Sequence, residues 1–445
     1  MGKYFGTDGF RGRANETLTA VQAFRIGRFL GQYFGQSGKK RAKIVVGKDT
    51  RLSSYMFEYA LTGGAVASGA DVYLLHVTTT ASVSFVARTE AFDCGVMISA
   101  SHNPYCDNGI KLIDCNGEKM NDTVIAAVEE MIDGKDVPFA TGDKIGRTVD
   151  YVAGRNRYLA FLLSLPRASF RGLKIGLDCA NGSAFAIAKA VFDALGAQVY
   201  LTGAEPNGTN INLNCGSTNV LNLQNLVLRK SLDMGFAFDG DADRCIAVDE
   251  KGRVIDGDGI VYICAKYLST RGELDGKGVV LTEMSNLGLD RALEQKGICC
   301  VRTEVGDRFV AMEMNKTGYL LGGEPSGHVI FRKHETTGDG LVTALKLTEI
   351  ALESKCPLSC LTEGYHPLPR ELVNVSVTHK EEILRDDAVQ VSVEEAKKLC
   401  KGRVVLRASG TEPIVRILVE GEKHCKDAAQ LVETAVREAE KRLNT

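Results

Sequence analysis

Apolar residues recur along this chain in two rhythms. Short unbroken runs bounded by Gly, Asn, Asp or Pro read as buried strands, and longer amphipathic stretches between them read as helices. Three segments repeat one order of elements. In the first, "KIVVGKD" (Lys43–Asp49) is strand-like, a helical stretch follows, and "GADVYLLHV" (Gly69–Val77) is a second strand. "LKIGLDCANG" (Leu173–Gly182) followed by "SAFAIAKAVFDALGAQVYL" (Ser183–Leu201) repeats the order, as does "KGVVLTEMSN" (Lys277–Asn286) followed by "LGLDRALEQKGICCVRTE" (Leu287–Glu304). A Gly closes each helix, the usual way to end one. The unit is βαβ, and three widely spaced copies imply three α/β domains rather than a stacked solenoid.

Beyond "YHPLPREL" (Tyr365–Leu372) the order changes. It reads strand (Leu372–Val377), helix (Lys380–Leu399), strand (Arg403–Leu406), loop, strand (Ile414–Val419), helix (Lys426–Leu443), which is a smaller α+β domain. "DGKDVPFATGDKIGRTVD" (Asp133–Asp150) reads as a linker, and the turn-rich "EKGRVIDGDG" (Glu250–Gly259) separates the second and third units. The expected divisions are 1–152, 153–253, 254–368 and 369–445, with a site expected in the central cleft where four domains meet. The helices at Leu18–Phe34 and Lys426–Leu443 read as core-packing elements.

Composition narrows the class. The chain has 445 residues, 44% hydrophobic and 25% charged, ordinary for a globular protein. A formal net charge of -2 gives no bulk positive field to attract nucleic acid or an anionic membrane, so neither is expected as a partner. No apolar run approaches the ~20 residues of a membrane span, and "MGKYFGTDGFRG" has no apolar signal core. The 13 Cys show no zinc spacing, and several lie inside apolar runs. They read as reduced thiols of a cytoplasmic protein.

Four loops carry the candidate chemistry. In "ISASHNPYCDNGIKL" (Ile98–Leu112) a buried strand opens onto Ser99, Ser101 and His102. Asn-Pro and Asn-Gly make this a polar turn on local grounds, and either serine could be a presented nucleophile. No G-x-S-x-G elbow is present, which argues against acyl transfer. In "DGDADR" (Asp239–Arg244) three carboxylates alternate between two strand-like runs, and like charges this close call for a cation. Asp239, Asp241, Asp243 and Glu250 have EF-hand spacing, but Arg244 occupies the position that needs Gly. Three carboxylates with room for a phosphate oxygen suit Mg²⁺ better than a full protein cage. "GGEPSGHVI" (Gly322–Ile330) offers Glu324, Ser326 and His328, either as an ordinary hairpin loop or as readers of a polyhydroxylated ligand. "RASGTEPIVR" (Arg407–Arg416) places Arg407, Ser409, Gly410, Thr411 and Arg416 together, the composition of a phosphate cradle that is not a Walker A loop.

Taken in order, the four loops resemble those of the α-D-phosphohexomutase family across nearly the whole chain. "KYFGTDGFRG", "MISASHNPYCDNGIKL" and "GGEPSGHVIF" look most like the branch that isomerises glucosamine phosphates for amino-sugar nucleotide and cell-wall synthesis. The resemblance implies three similar α/β domains with mixed sheets plus the C-terminal α+β domain. It implies that Ser101 carries a phosphate and joins Asp239, Asp241 and Asp243 on Mg²⁺. Lys111 then takes an acid–base or electrostatic role, His102 orders the loop, and Arg11 and Arg244 contact the phosphoserine region. Glu324, Ser326 and His328 read the sugar, with Arg308 guiding it, and Arg407, Ser409, Gly410, Thr411 and Arg416 hold the phosphate that is not reacting. The implied ligands are a hexosamine phosphate and glucosamine 1,6-bisphosphate or a similar bisphosphosugar. An activating kinase or autophosphorylation would supply the first phosphate, and a homodimer is allowed. Two positions depart from the branch. Ala242 stands where Gly is common, and Pro325 stands where Gln is usual, removing an N–H beside the sugar loop. Rival readings are a mutase of glucose or mannose phosphates, a metal-dependent phosphatase, and a non-catalytic sugar-phosphate-binding protein.

Overall fold

The computed structural model describes residues 2–35, 41–135, 137–408 and 413–444. The chain divides into two compact units, one of Met1–Ser285 with Leu293–Glu363, the other of Asn286–Ala292 with Gly364–Thr445.

The first unit holds three mixed sheets. In the seven-stranded sheet, Lys43–Lys48 is an interior strand and pairs in parallel with both Asp71–Val77 and Cys94–Ile98. Antiparallel strands Asp107–Asp114, Gly9–Arg13 and Phe5–Gly6 extend one side. Helices Ala20–Gly35, Leu52–Ala67 and Asp122–Ile132 contribute to the larger of its apolar cores, and Thr80–Thr89 to a second. Ala23, Ile26, Phe29 and Leu30 give the first helix the helical spacing that its sequence predicts for a core-facing stripe. The expected linker Asp133–Asp150 is corrected at its end. Thr148–Asp150 is the seventh strand, parallel to Asp71–Val77, and Val72 N–H donates to Arg147 O at 2.8 Å. The β-branched Thr148 and Val149 favour that pairing.

The five-stranded sheet runs Val254–Ile255, Cys245–Asp249, Met234–Phe238, Lys174–Asp178, Gln198–Thr202, and the four-stranded sheet runs Cys299–Thr303, Gly278–Thr282, Leu321–Gly323, Val329–Phe331. The βαβ strand pairs read from the sequence are parallel in all three copies, and Gly69, Gly196 and Gly297 take positive φ after their helices. The turn-rich stretch 250–259 is more ordered than expected. It contains Val254–Ile255 and the start of Gly257–Thr270, capped by the Asp256 side chain.

The second unit pairs Arg370–Ser376, Ile414–Gly421 and Gly402–Ala408 in an antiparallel sheet. The helix expected over Lys380–Leu399 is two helices, Lys380–Arg385 and Asp387–Cys400. Asp386 breaks them because its carboxylate accepts from Ala388 N and Val389 N, an N-cap that competes with continued helix.

The four loops share one placement. Each joins two neighbouring antiparallel strands, with partners Ile98↔Ile110, Phe238↔Cys245, Gly323↔Val329 and Ala408↔Val415 at the strand ends. In the first three loops the ladder ends abruptly, so polar side chains and backbone groups are presented from a rigid base.

Candidate active site

Ser101 takes φ 53°, a left-handed conformation unusual for a residue with a side chain. It is buried, and its hydroxyl donates to Asp239 Oδ2 at 2.5 Å. Ser99 is engaged otherwise: its Oγ accepts from Ser101 N at 3.0 Å and Arg51 Nη1 at 3.4 Å. The tertiary structure therefore separates two serines that the local sequence leaves equivalent. His102 Nδ1 lies 3.3 Å from Ser101 Oγ and 3.1 Å from Arg244 Nη1. Burial, then the Arg244 and Arg11 charges, pull its pKa down to about 4. The ring is thus neutral near pH 7, and Nδ1 accepts from the guanidinium. Arg11, on the adjoining strand, is tied to Asp8 and reaches Asn103 Oδ1 at 3.4 Å.

Asp239, Asp241 and Asp243 are all buried, and their ligand-capable atoms lie within 4.8 Å of one another. The Oδ1 atoms of Asp241 and Asp243 are buried without a hydrogen-bond partner. Burial, then the charges of Asp243 and Asp241, push the Asp239 carboxyl well above the usual range. Orphaned oxygens and mutual repulsion are what a cation relieves, so an all-oxygen site for a hard divalent ion fits these residues.

Lys111 is brought to the trio by register, since it faces Met97 across the hairpin that carries the serine loop. Its ammonium is 2.7 Å from Asp241, 3.1 Å from Asp243 and 3.2 Å from Asp8. Burial works to lower its pKa, but these carboxylates outweigh burial and hold the group well above the ordinary lysine value. The depression that base catalysis by Lys111 would require is absent from this arrangement, whereas a fixed positive charge is present. Asp8 likewise stays well below the carboxylate range despite burial, held by Lys111, Lys119 and Arg11.

The third loop is a hairpin loop, as its local pattern allows, and it also faces this cluster. His328 Nδ1 is 3.9 Å from Asp243, and its Nε2 is 3.8 Å from Asp307. Burial lowers the ring's pKa, while Asp243 and Asp307 carry it up to about 9. Against that, Gly338 N–H points to Nε2 at 3.0 Å, which needs a lone pair there. The amide contact favours a neutral ring with its proton on Nδ1, toward Asp243. Glu324 Oε1 accepts from Gly306 N at 3.2 Å, and burial raises its carboxyl pKa. The Ser326 hydroxyl is buried without a partner. Arg308 does not join the cluster: it makes a two-pronged pair with Asp122 at 2.6 and 2.7 Å. Its neighbour Asp307 does join, 2.6 Å from Lys119. A cavity of about 690 Å³ is lined in part by Asp8, Thr80, Lys111, Asp243, Asp307 and His328, ample for a small polar ligand.

In the second unit, Arg407 and Arg416 are direct cross-strand partners. Placed opposite each other, they bring two guanidinium forks to the strand ends that flank the fourth loop. Ser409, Gly410 and Thr411 lie outside the described residues.

Four family models match in order along the chain. Phosphoglucomutase/phosphomannomutase alpha/beta/alpha domain I matches residues 2–138, domain II 156–252, domain III 256–368, and the C-terminal domain 372–439. Phosphoglucosamine mutase of Lachnospira eligens is 57% identical over 94% of both chains. That of Anoxybacillus flavithermus is 46% identical over 98% of this chain and 99% of its own. The chain belongs to the phosphoglucomutase/phosphomannomutase family. Among solved structures, a phosphoglucomutase/phosphomannomutase family protein from Burkholderia thailandensis shares the fold with TM-score 0.82 at 24% identity, covering 100% of this chain and 98% of that one. Aspergillus fumigatus N-acetylphosphoglucosamine mutase, solved with GlcNAc-6P and magnesium, shares it with TM-score 0.66 at 18% identity, covering 98% and 96%.

Several residues of this phosphoglucomutase/phosphomannomutase chain complete the site without any signal in local spacing. Thr80, at the start of a helix, gives its hydroxyl to Asp241 Oδ2 at 2.6 Å and its backbone N–H to Asp241 O at 3.0 Å. Lys119 bridges Asp8 at 2.9 Å and Asp307. Asp8 stands in "KYFGTDGFRG", where the Gly-rich polar context is a usable hint. Thr80 opens the helix Thr80–Thr89, and Lys119 lies just before the helix Asp122–Ile132. Among the described residues, no helix is long and apolar enough to cross a membrane.

Proposed function

We propose that this protein interconverts glucosamine 6-phosphate and glucosamine 1-phosphate through a phosphorylated Ser101 and a bisphosphosugar. The observation that carries the chemistry is Ser101, held in a left-handed turn with its hydroxyl on Asp239 of a buried acidic trio. The amino-sugar substrate rests on relatives 44–57% identical over nearly the full chain that share the name phosphoglucosamine mutase.

Asp239, Asp241 and Asp243 would hold Mg²⁺ with a phosphoserine oxygen. When bound, the metal neutralises charge on the transferring phosphoryl group. The chain's own residues do the rest. Ser101 gives its phosphoryl group to the sugar's free hydroxyl, so the Ser101 O–P bond breaks as the sugar O–P bond forms. Arg244 and Lys111 keep positive charge beside that group. Neutral His102 orders the loop by accepting from Arg244. Glu324, Ser326 and His328 read sugar hydroxyls, and Ser326 has a donor free to do so. Arg407 and Arg416 hold the second phosphate, together with Ser409, Gly410 and Thr411. The intermediate must then turn so that its other phosphate returns to Ser101. The buried thiols of Cys94, Cys179, Cys215, Cys245 and Cys264 accord with the cytoplasm.

The test is kcat/KM on Mg²⁺-loaded protein with glucosamine 1-phosphate, glucose 1-phosphate and mannose 1-phosphate, with Ser101→Ala alongside. Preference for the amino sugar, lost in the variant, supports the whole reading. Preference for glucose or mannose phosphate keeps the chemistry and replaces the substrate, with Pro325 as the residue to exchange first. An unaffected variant removes Ser101 from the mechanism, and free phosphate without an isomer would mark a phosphatase.

A further inference from the structure

Two carbonyls of the serine loop are held by the same two side chains. Ser101 O accepts from Arg51 Nη2 at 3.1 Å and from Asn212 Nδ2 at 2.9 Å. Asn103 O accepts from Arg51 Nη2 at 2.6 Å and Asn212 Nδ2 at 3.0 Å. Arg51 stands just before the helix Leu52–Ala67, beyond the end of the strand Lys43–Lys48. Asn212 belongs to the second α/β segment, where its N–H donates to Ala180 O at 2.8 Å. The loop is thus gripped from two sides by elements far apart in sequence.

Arg51 is fully buried, which is costly for a guanidinium unless its charge and donors are matched. Its counter-charge is Asp49, which is fixed in turn by Ser54 Oγ at 2.6 Å and by Arg51 N at 2.9 Å. Further hydrogen bonds from its guanidinium go to the serine loop, reaching Ser99, Ser101 and Asn103. Gly240 of the acidic loop closes the arrangement: a Cβ there would lie 2.5 Å from Ser101 O and 3.2 Å from Asn212 Nδ2. The serine loop and the acidic loop therefore meet backbone to backbone.

A phosphorylated serine brings nearly two negative charges to a trio of carboxylates. A loop anchored only by its turn would relax away from them. We infer that Arg51 and Asn212 are positioning residues for phosphoryl transfer, a two-armed clamp that keeps Ser101 in its left-handed conformation with Oγ directed at the acidic trio. The inference rests on the reading of Ser101 as phosphoryl carrier. The clamp touches neither substrate nor the transferring group. Its effect is on geometry, so it raises turnover and limits loss of the phosphoryl group to water.

Asn212→Gly is the decisive variant. Asn212 has φ 60°, which Gly adopts without strain, and the change deletes both Nδ2 bonds. Arg51→Lys is the companion, since it keeps the charge against Asp49 and loses the fork. Isomerisation of glucosamine 1-phosphate, primed with glucose 1,6-bisphosphate, is followed together with inorganic phosphate release and thermal unfolding. In Asn212→Gly, kcat should fall about tenfold with KM changed by less than about twofold. Phosphate released per isomerisation should rise, while the unfolding midpoint stays near wild type. A purely structural role would lower the midpoint and the active fraction without changing that ratio. An Asn212→Gly protein with wild-type kcat and phosphate ratio overturns the clamp, even if Arg51→Lys fails to fold. A wild type that never carries phosphate on Ser101 overturns the phosphoserine reading, and the clamp with it. A normal wild type beside an unchanged variant overturns the clamp alone.

Discussion

Replacing Lys111 with Met would test whether the acidic trio is a cation site, independently of turnover. The cluster sets Asp8, Asp239, Asp241 and Asp243 against Lys111, Lys119, Arg11 and Arg244. Met keeps the length and apolar stem of Lys111 but removes an ammonium within 3.2 Å of three carboxylates. Removing one partner of a buried ion pair costs about 3–5 kcal/mol, because the other charge stays buried and uncompensated. Protonation of Asp239, already favoured by its surroundings, absorbs part of this, so the lower figure of about 3 kcal/mol is expected. With an unfolding entropy of about 2.1 cal/mol/K per residue, a unit of about 350 residues shifts by roughly 1.3 °C per kcal/mol, so the metal-free unfolding midpoint should drop by about 4 °C. A divalent cation restores the missing charge. A ligand at a hundredfold excess over its Kd stabilises any binding-competent fold by about 2.7 kcal/mol, and the variant cluster, one charge more negative, should bind it more tightly. The assay is thermal unfolding by circular dichroism at pH 8, in chelator and in millimolar Mg²⁺. The gap between Lys111→Met and wild type should narrow in Mg²⁺. A gap that stays constant or widens would refute the trio as the cation site.

Other expectations follow from equally local geometry. A Cβ at Gly257 would lie 1.9 Å from Glu324 O, so Gly257→Ala should displace the third loop and raise KM for the sugar phosphate more than it lowers kcat, as steady-state kinetics would show. Burial and then Asp339 push Glu335 up to about 8, against the pull of Arg88. The folded chain therefore keeps a proton that the unfolded chain loses near about pH 4–5, and stability falls as pH rises through that window to about 8. Glu335→Gln should remove this slope, gaining on wild type by a few kcal/mol between about pH 5 and 8.5 in paired unfolding curves; a constant difference would contradict it. Arg407→Leu removes one of the two guanidinium groups proposed to hold the second phosphate, so KM for the phosphorylated sugar should rise about tenfold or more in steady-state kinetics.

The sequence by itself determined the elements and the chemistry of the loops. Buried runs such as "KIVV" (Lys43–Val46) and "GVMI" (Gly95–Ile98) can only be satisfied inside a sheet, and their spacing with amphipathic helices fixes the βαβ units. Three alternating aspartates signal a cation because repulsion is a local quantity. A cap is local too, yet Asp386 was hidden in a stretch whose periodicity reads as one helix, and the strand at Thr148–Asp150 was hidden in linker-like composition. Local spacing leaves Ser99 and Ser101 equivalent and the family resemblance points to Ser101; the tertiary structure adds the bond from the Ser101 hydroxyl to Asp239, 138 positions away in the chain. It alone recruited Thr80, Asp8, Lys119, Asp307, Arg51 and Asn212, and it turned Arg308 onto Asp122. Periodicity and turn chemistry are set by neighbours a few residues apart. Which side chains share a buried charge cluster is set by strand register and domain packing across tens to hundreds of residues, where spacing carries no information.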